Sequence, residues 1–417
     1  MNQLIKLIAA AAALVWLAIS LAAPAAAADA AFQKWLEGLW PEAQKMGVSR
    51  ATFEAATRAL EPDLTLPDLD LPGRPGAPPR GGQAEFVQTP ADYLKETTIG
   101  NLAGQAKKLA AEHRAALAAI EQKYGVPGNV LLAIWGRETA FGGYRLPKNA
   151  ITVLATQAYY GRRKDMFRQE FLYALKMLED GHGKLTDMRS SWGGAMGLTQ
   201  FLPSEFYKYA VDFDGDGRTD IWTSVPDALA SAAQQLLGKG WQRGRRWAYE
   251  VRAPREVDCT LGVPEITQPV GEWLKRGYVP AHGRKPSAAE MAEPASLLQP
   301  EGTYGPAFLT LRNYYVIKDY NFSDLYVLFV GHLSERISEA RPFETPWSKG
   351  SQLRTAEVEA MQRTLARLGI YKDKIDGKAG MLTRSALGAY QKANGLKVDC
   401  WPTDAVLAHM QGKSSKK

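Results

Sequence analysis

The sequence predicts a mainly helical fold, interrupted by one short-strand region and closed by a small, separate helical unit. Three observations predict it. Apolar residues recur at three-and-four spacing over most of the chain, which lines one face of an α-helix. Between Trp247 and Gly305 that spacing gives way to isolated valines (Val251, Val257, Val263) among polar residues and prolines, as in short strands and loops. Beyond the segment RPFETPWSKGSQ, helical patterns from Thr355 to Leu368 and from Thr383 to Asn394 flank a turn containing Ile375, Asp376 and Gly377, within a unit of about 60 residues. Its apolar positions Val358, Met361, Leu365, Leu368 and Ile370 can supply a core.

The chain opens with Lys6, an Ala/Leu/Ile/Val stretch, Pro24 and small residues up to Ala28, which reads as a secretory signal peptide over residues 1–28; the alternative is an uncleaved anchor. No Cys follows the apolar run, so no N-terminal lipidation site is offered. The formal net charge of +7 falls by one when Lys6 leaves with the leader. That excess fits weak attraction to an anionic surface or polymer, and no nucleic-acid-binding motif accompanies it. Cys259 and Cys400 are free to pair in an oxidising compartment or to stay apart, and the sequence leaves both open. There is no C-x-x-C, no H-E-x-x-H and no G-x-S-x-G, so zinc chemistry and a Ser/His/Asp hydrolase are unsupported.

The mature chain starts with a helical pattern from Phe32 to Leu60, followed by a Pro/Gly/Asp-rich stretch from Glu61 to Gly82 that reads as a long exposed loop. Helices resume near Pro90, and Gly125 and Pro127 separate the amphipathic LAGQAKKLAAEHRAALAAIEQKYG from the helix carrying IWGRETAFGG. More helix follows between Thr152 and Glu179 and again from Ser323 to Ser338.

Chemistry concentrates in three motifs. In IWGRETAFGG, Val130, Leu131, Ile134, Trp135 and Glu138 share one helix face, and Gly142 and Gly143 supply the stop. A carboxyl on an apolar face near the negative end of the helix is expected to hold its proton above the ordinary value of about 4.3, as a general acid requires. A Glu paired with Arg or turned to solvent is the plainer alternative. In SWGGAMGLTQFLPSEF, Gly193, Gly194, Ala195 and Gly197 remove bulk so that a ligand can approach backbone amides, and Gln200 offers a donor and an acceptor; a tight turn ahead of a helix is the alternative. In DFDGDGRTDIWT, Asp212, Asp214, Asp216 and the Arg218 carbonyl match the first half of an EF-hand loop over residues 212–227. Thr223 stands where the closing Glu belongs, so Asp227 is the candidate closing ligand of a structural calcium site, against a solvated acidic turn.

Taken together, the order and spacing of GRETAFG, SWGGAMGLTQFLPS, YAVDFDGDG and YNFSDLY resemble the lytic murein transglycosylases of the membrane-bound lytic transglycosylase B type. The resemblance implies a lysozyme-like α+β catalytic domain over residues 29–343. It places the catalytic acid and base on Glu138, saccharide contacts on Ser191, Gln200, Tyr320, Asn321 and Tyr326, and Ca2+ on the acidic loop, with no organic cofactor. Trp192 is a further candidate sugar contact. The family's namesake is a lipoprotein, whereas this chain lacks a lipidation Cys, so no stable membrane anchor is expected after signal cleavage. After a linker at 344–352, residues 353–412 resemble a three-helix peptidoglycan-binding domain, with Cys400 where many such domains carry Gly; a docking module is the alternative.

The expectation is a soluble periplasmic enzyme acting on peptidoglycan glycan strands. Retaining glycosidases use two carboxyls about 5 Å apart and inverting ones hold a water between two, but these motifs offer one. The resemblance implies non-hydrolytic cleavage of the β-1,4 bond between N-acetylmuramic acid and N-acetylglucosamine, leaving 1,6-anhydro ends. A hydrolase of lysozyme type and a catalytically silent wall-binding scaffold are the competing readings. In the enzymatic reading the C-terminal unit raises local substrate concentration through a tether.

Overall fold

Helix starts in this chain are set by short polar side chains that accept the first backbone N–H groups. Ser49 takes the N–H of Thr52, Thr89 that of Asp92, and Asn149 those of Ile151 and Thr152. The computed structural model describes residues 30–71, 88–254, 257–339, 341–348 and 353–412. The signal-peptide assignment at 1–28 lies outside the described residues, as do positions 72–82 of the Pro/Gly-rich stretch and 349–352 of the linker. No helix among the described residues is long and apolar enough to cross a membrane.

The described residues form two compact units, the first drawn from 30–71 and 144–228, the second from those of 88–143 and 229–412. In the first, the predicted helical pattern from Phe32 resolves into residues 30–38, Trp40–Lys45 and Arg50–Thr57. The pattern beyond Thr152 resolves into Ala150–Tyr160 and Lys164–Glu179, broken at Gly161. Strands β1 (Lys148–Asn149) and β2 (Arg189–Ser190) pair antiparallel. The described part of the Glu61–Gly82 stretch departs from the exposed loop expected. Leu66 is buried, Gln157 donates to the Pro67 carbonyl at 2.9 Å, and Leu69 bridges Gly161. A buried glutamine on the neighbouring helix supplies the backbone partner that Pro67 needs, which composition alone does not reveal.

In the second unit the Gly128–Thr139 helix is buried almost all round and packs against Glu96–Glu112 and Asp324–Ser338. A five-stranded antiparallel sheet has the order β4–β6–β7–β3–β5, built from β3 (Ala248–Arg252), β4 (Thr267–Pro269), β5 (Val279–Pro280), β6 (Pro294–Leu298) and β7 (Ala307–Thr310). Val251 is a buried strand residue as expected, while Val257 packs on the sheet core from outside any strand. Trp273 anchors that core, its indole N–H donating to the Ala295 carbonyl at 2.9 Å.

The C-terminal module is three helices, Thr355–Arg367, Met381–Ala393 and Asp404–Met410. Buried Gln362 wires its first turn: Oε1 accepts the N–H groups of Asp376 and Gly377, and Nε2 donates to Asp376 Oδ1. Gln391 repeats the pattern with the N–H groups of Asp399 and Cys400. Val358, Met361 and Leu365 are core residues as expected, but Leu368 and Ile370 are exposed. Gly369, at φ +75°, turns the chain so that Tyr371 enters the core in their place.

A disulfide joins Cys400 to Cys259, with the Cα atoms 6.0 Å apart. Cys400 adopts φ +55°, the left-handed conformation that favours glycine, so it keeps the turn while adding a cross-link. A staple closing 141 residues removes about 5 kcal/mol of unfolded-chain entropy in the loop-closure view. Ser385 also donates to the Thr260 carbonyl, Tyr304 to Asp399, and Arg384 to Asp324. The module is therefore docked, not swung on a free tether as expected.

Candidate active site

The helix bearing Glu138 ends in a way its sequence does not announce. Ala140 and Phe141 take φ of +48° and +58°, ahead of Gly142 at +79°, so two non-glycine residues carry left-handed strain of order 1 kcal/mol each. Tertiary contact sustains them. Phe141 packs edge-on to Trp135 and covers Gly136, where an added Cβ would lie 2.6 Å from the ring. The Phe141 N–H bonds back to the Trp135 carbonyl and Ala140 N–H to Gly136, closing the last turn. Glu138 thus stands in the final turn, half-buried, on a helix whose apolar face is wholly covered.

The Tyr326 hydroxyl donates to Glu138 Oε1 at 2.5 Å. Burial, with the Glu138 charge beside it, pushes the Tyr326 phenol well above its ordinary range, so it stays a donor. Tyr320 stacks parallel to Tyr326 with ring centroids 6.5 Å apart, and Asn321 Oδ1 accepts the Ser323 N–H that begins the Asp324–Ser338 helix. Four predicted residues, Glu138, Tyr320, Asn321 and Tyr326, therefore lie in the second unit, three of them in one connected set.

Two partners escaped the sequence reading. Arg137 donates to the Tyr93 hydroxyl at 3.0 and 2.5 Å through Nε and Nη2, and its guanidinium lies over the rings of Tyr93 and Phe329. Adjacency to Glu138 could have flagged Arg137. Nothing in the Pro90–Tyr93 turn signals Tyr93.

Ser191 and Gln200 sit on one loop of the first unit. Ser191 Oγ accepts the Ala195 N–H at 3.3 Å, and Gln200, at φ +59°, donates from Nε2 to the Gly197 carbonyl at 3.0 Å. The glycines serve packing more than ligand access. A Cβ on Gly194 would meet Leu154 at 2.2 Å and one on Gly197 the Ile221 carbonyl at 2.7 Å, whereas Gly193 faces open space beyond Ser191 Oγ. Partly buried Trp192 lies between them in sequence.

In the acidic loop the carboxylates of Asp212, Asp214 and Asp227 bring one oxygen each within 4.8 Å of one another. No ion pair neutralises them among the described residues, and hard oxygen donors of this kind fit a calcium ion. Asp227 is fully buried and accepts the N–H groups of Phe213 and Asp220, which fixes it in place. Asp216 stands apart from this group, its carboxylate accepting the N–H of Arg218.

Comparison with known proteins bears on this geometry. Residues 31–335 match the family described as Transglycosylase SLT domain, and residues 354–410 match a peptidoglycan binding domain. Membrane-bound lytic murein transglycosylase B of Escherichia coli K12 is 29% identical over 286 residues, 68% of this chain and 76% of that one. The fold also resembles SltB3 of Pseudomonas aeruginosa, solved with NAG-NAM-pentapeptide and with NAG-anhNAM-pentapeptide, at 34% identity, TM-scores of 0.80 and 0.79, and coverage of 91% of this chain and 99% of that one. Lytic transglycosylase Slt35 of Escherichia coli, solved with calcium, gives a TM-score of 0.51 at 28% identity over 60% of this chain and 78% of that one.

Proposed function

Because this chain belongs to the transglycosylase SLT domain family and is a peptidoglycan-cleaving lytic transglycosylase with a peptidoglycan-binding domain, we propose that Glu138 is its single catalytic acid and base. The Glu138 carboxyl gives its proton to the glycosidic oxygen as the bond from muramyl C1 breaks, and the muramyl N-acetyl group stabilises the oxocarbenium-like centre. The resulting carboxylate takes the proton from the muramyl 6-hydroxyl, and that oxygen closes on C1. A 1,6-anhydro ring forms, the acid is regenerated, and no water is consumed.

The observation that carries this reading is the tyrosine O–H aimed at Glu138 from the end of a covered helix. A donor held there orients the carboxylate and steadies its charge between the two proton transfers. SltB3 has been captured with an anhydro-muramyl ligand, which supports the same product here. Tyr320, Asn321, Ser191 and Gln200 are the saccharide contacts in this reading, buried Tyr326 positions Glu138 from beneath, and Asp212, Asp214 and Asp227 hold a structural calcium ion outside the chemistry. The proposed domain layout keeps a catalytic region at 29–343, a linker at 344–352 and a wall-binding module at 353–412. We infer that the protein works outside the cytoplasm, in the periplasm, after loss of residues 1–28.

The test is Glu138→Gln, which removes the transferable proton and keeps the shape. Turnover of sacculi should fall by about 10²–10⁴-fold while binding to sacculi persists. Unchanged turnover would move the acid elsewhere.

A further inference from the structure

The last turn of the Glu138 helix carries a cation beside its carboxyl. Arg137 and Glu138 are consecutive, and both stand at the carbonyl end of the helix, where the backbone dipole is negative and disfavours a carboxylate. The Arg137 guanidinium is held in place from two sides. Nε and Nη2 both donate to the Tyr93 hydroxyl, and the guanidinium carbon lies 4.8 and 5.1 Å from the ring centres of Tyr93 and Phe329. Those two rings meet edge to face at 5.8 Å. Phe329 follows Tyr326 by three residues on the Asp324–Ser338 helix, so one helix face presents a phenol to Glu138 and a ring to Arg137. Burial alone would lower the guanidinium pKa, but Tyr93, Glu138 and Tyr326 outweigh it and hold the group above its ordinary value.

We propose that Arg137 is a positioning residue for the reaction, a clamped cation that steadies the Glu138 carboxylate while the acid is without its proton. The inference rests on the reading of Glu138 as the single acid and base. In that cycle one carboxyl gives a proton to the glycosidic oxygen and later takes one from the 6-hydroxyl, so it must stand as an anion in between. The end of a covered helix opposes that anion, and the neutral Tyr326 O–H offsets the opposition only in part. A fixed positive charge in the same turn favours the anion and makes the carboxyl a stronger acid. Other ionisable groups on the helices packed there are engaged with one another: Glu96 with His332 and Arg336, and Glu112 with His113, whose ring lies against Trp135. Tyr93, Tyr320 and Tyr326 bring phenols to the pair and its surroundings. Arg137 is thus the charge that the Glu138 turn itself supplies.

The experiment measures kcat and kcat/KM against pH on soluble glycan for the full chain, Arg137→Gln, Arg137→Lys and Tyr93→Phe. The alkaline limb of kcat/KM reports loss of the acid form of Glu138 in the free enzyme. Without the cation the carboxylate is harder to form, so Arg137→Gln should move that limb up by about one pH unit and lower kcat about ten-fold, with KM little changed. Arg137→Lys keeps the charge and should hold the limb at the parent pH. Tyr93→Phe loosens the clamp and should move it upward by less than Arg137→Gln does. A limb unmoved in Arg137→Gln overturns the proposal however far kcat falls, because lost packing lowers activity without shifting a titration. An equal shift in Arg137→Lys also overturns it, since charge would not be the cause. If Arg137→Gln does not fold, Tyr93→Phe decides: an upward shift supports the proposal and an unmoved limb overturns it. Retained turnover in Glu138→Gln removes the Glu138 reading itself, whereas an inactive Glu138→Gln with an unmoved limb in Arg137→Gln removes Arg137 alone.

Discussion

The Tyr326 hydroxyl lies 2.5 Å from Glu138 Oε1 and donates to it, so residues 188 apart in sequence meet at one proton. The two sit on helices packed directly together, Gly128–Thr139 and Asp324–Ser338. Neither can drift without disturbing the core between them. The carboxylate is thereby aimed by the fold and not by its own rotamer preference.

Tyr326→Phe removes this donor and keeps the ring. A hydrogen bond to a charged acceptor contributes about 1.5–3 kcal/mol, so kcat should fall about ten- to a hundred-fold. KM should move much less. Steady-state kinetics on soluble glycan checks this, and an unchanged kcat would assign the orientation of Glu138 to another group.

Calcium should stabilise the protein without taking part in its chemistry. Three converging carboxylates repel one another until a cation joins them. With calcium at about 100 times its dissociation constant, binding adds about 2.7 kcal/mol, so a chelator should lower the Tm by about 5 to 10 °C. Asp214→Asn should erase most of that shift. Differential scanning calorimetry with and without chelator makes the comparison, and a Tm indifferent to calcium counts against the site.

Acid should loosen the docking of the C-terminal module. Burial alone would push the Asp324 carboxyl up, but Lys318 and Arg384 outweigh it and hold the group at about 2, below its ordinary 3.8. Because the folded-state value is depressed, the stabilisation is present above pH 4 and is lost as pH falls through about 2. Its size is about 2 kcal/mol. Urea unfolding between pH 5 and 2 should steepen toward acid in the parent and flatten in Asp324→Asn, whereas equal slopes in both would remove Asp324 from the explanation.

Much of this was legible in the sequence where one element suffices to define it. The Glu138 helix follows from the spacing of Val130, Leu131, Ile134 and Trp135, and its face is buried as that spacing requires. Its end was less legible, because the left-handed turn at Ala140 and Phe141 depends on Phe141 covering Gly136, and glycines further on drew the boundary too late. Relationships across long stretches were not legible at all. Tyr93 and Arg137 meet over 44 residues with no shared periodicity. Spacing could not decide whether Cys259 and Cys400 pair across 141 residues, nor that Gly369 would turn Ile370 outward and Tyr371 inward.

The most direct test of the central claim is mass spectrometry of the fragments this protein releases from sacculi in heavy-oxygen water. Proton return from the muramyl 6-hydroxyl to Glu138 predicts 1,6-anhydro ends, lighter by one water than reducing ends and free of heavy oxygen. Reducing muramyl ends labelled with heavy oxygen would contradict it, since water and not the sugar's own hydroxyl would then have closed the reaction.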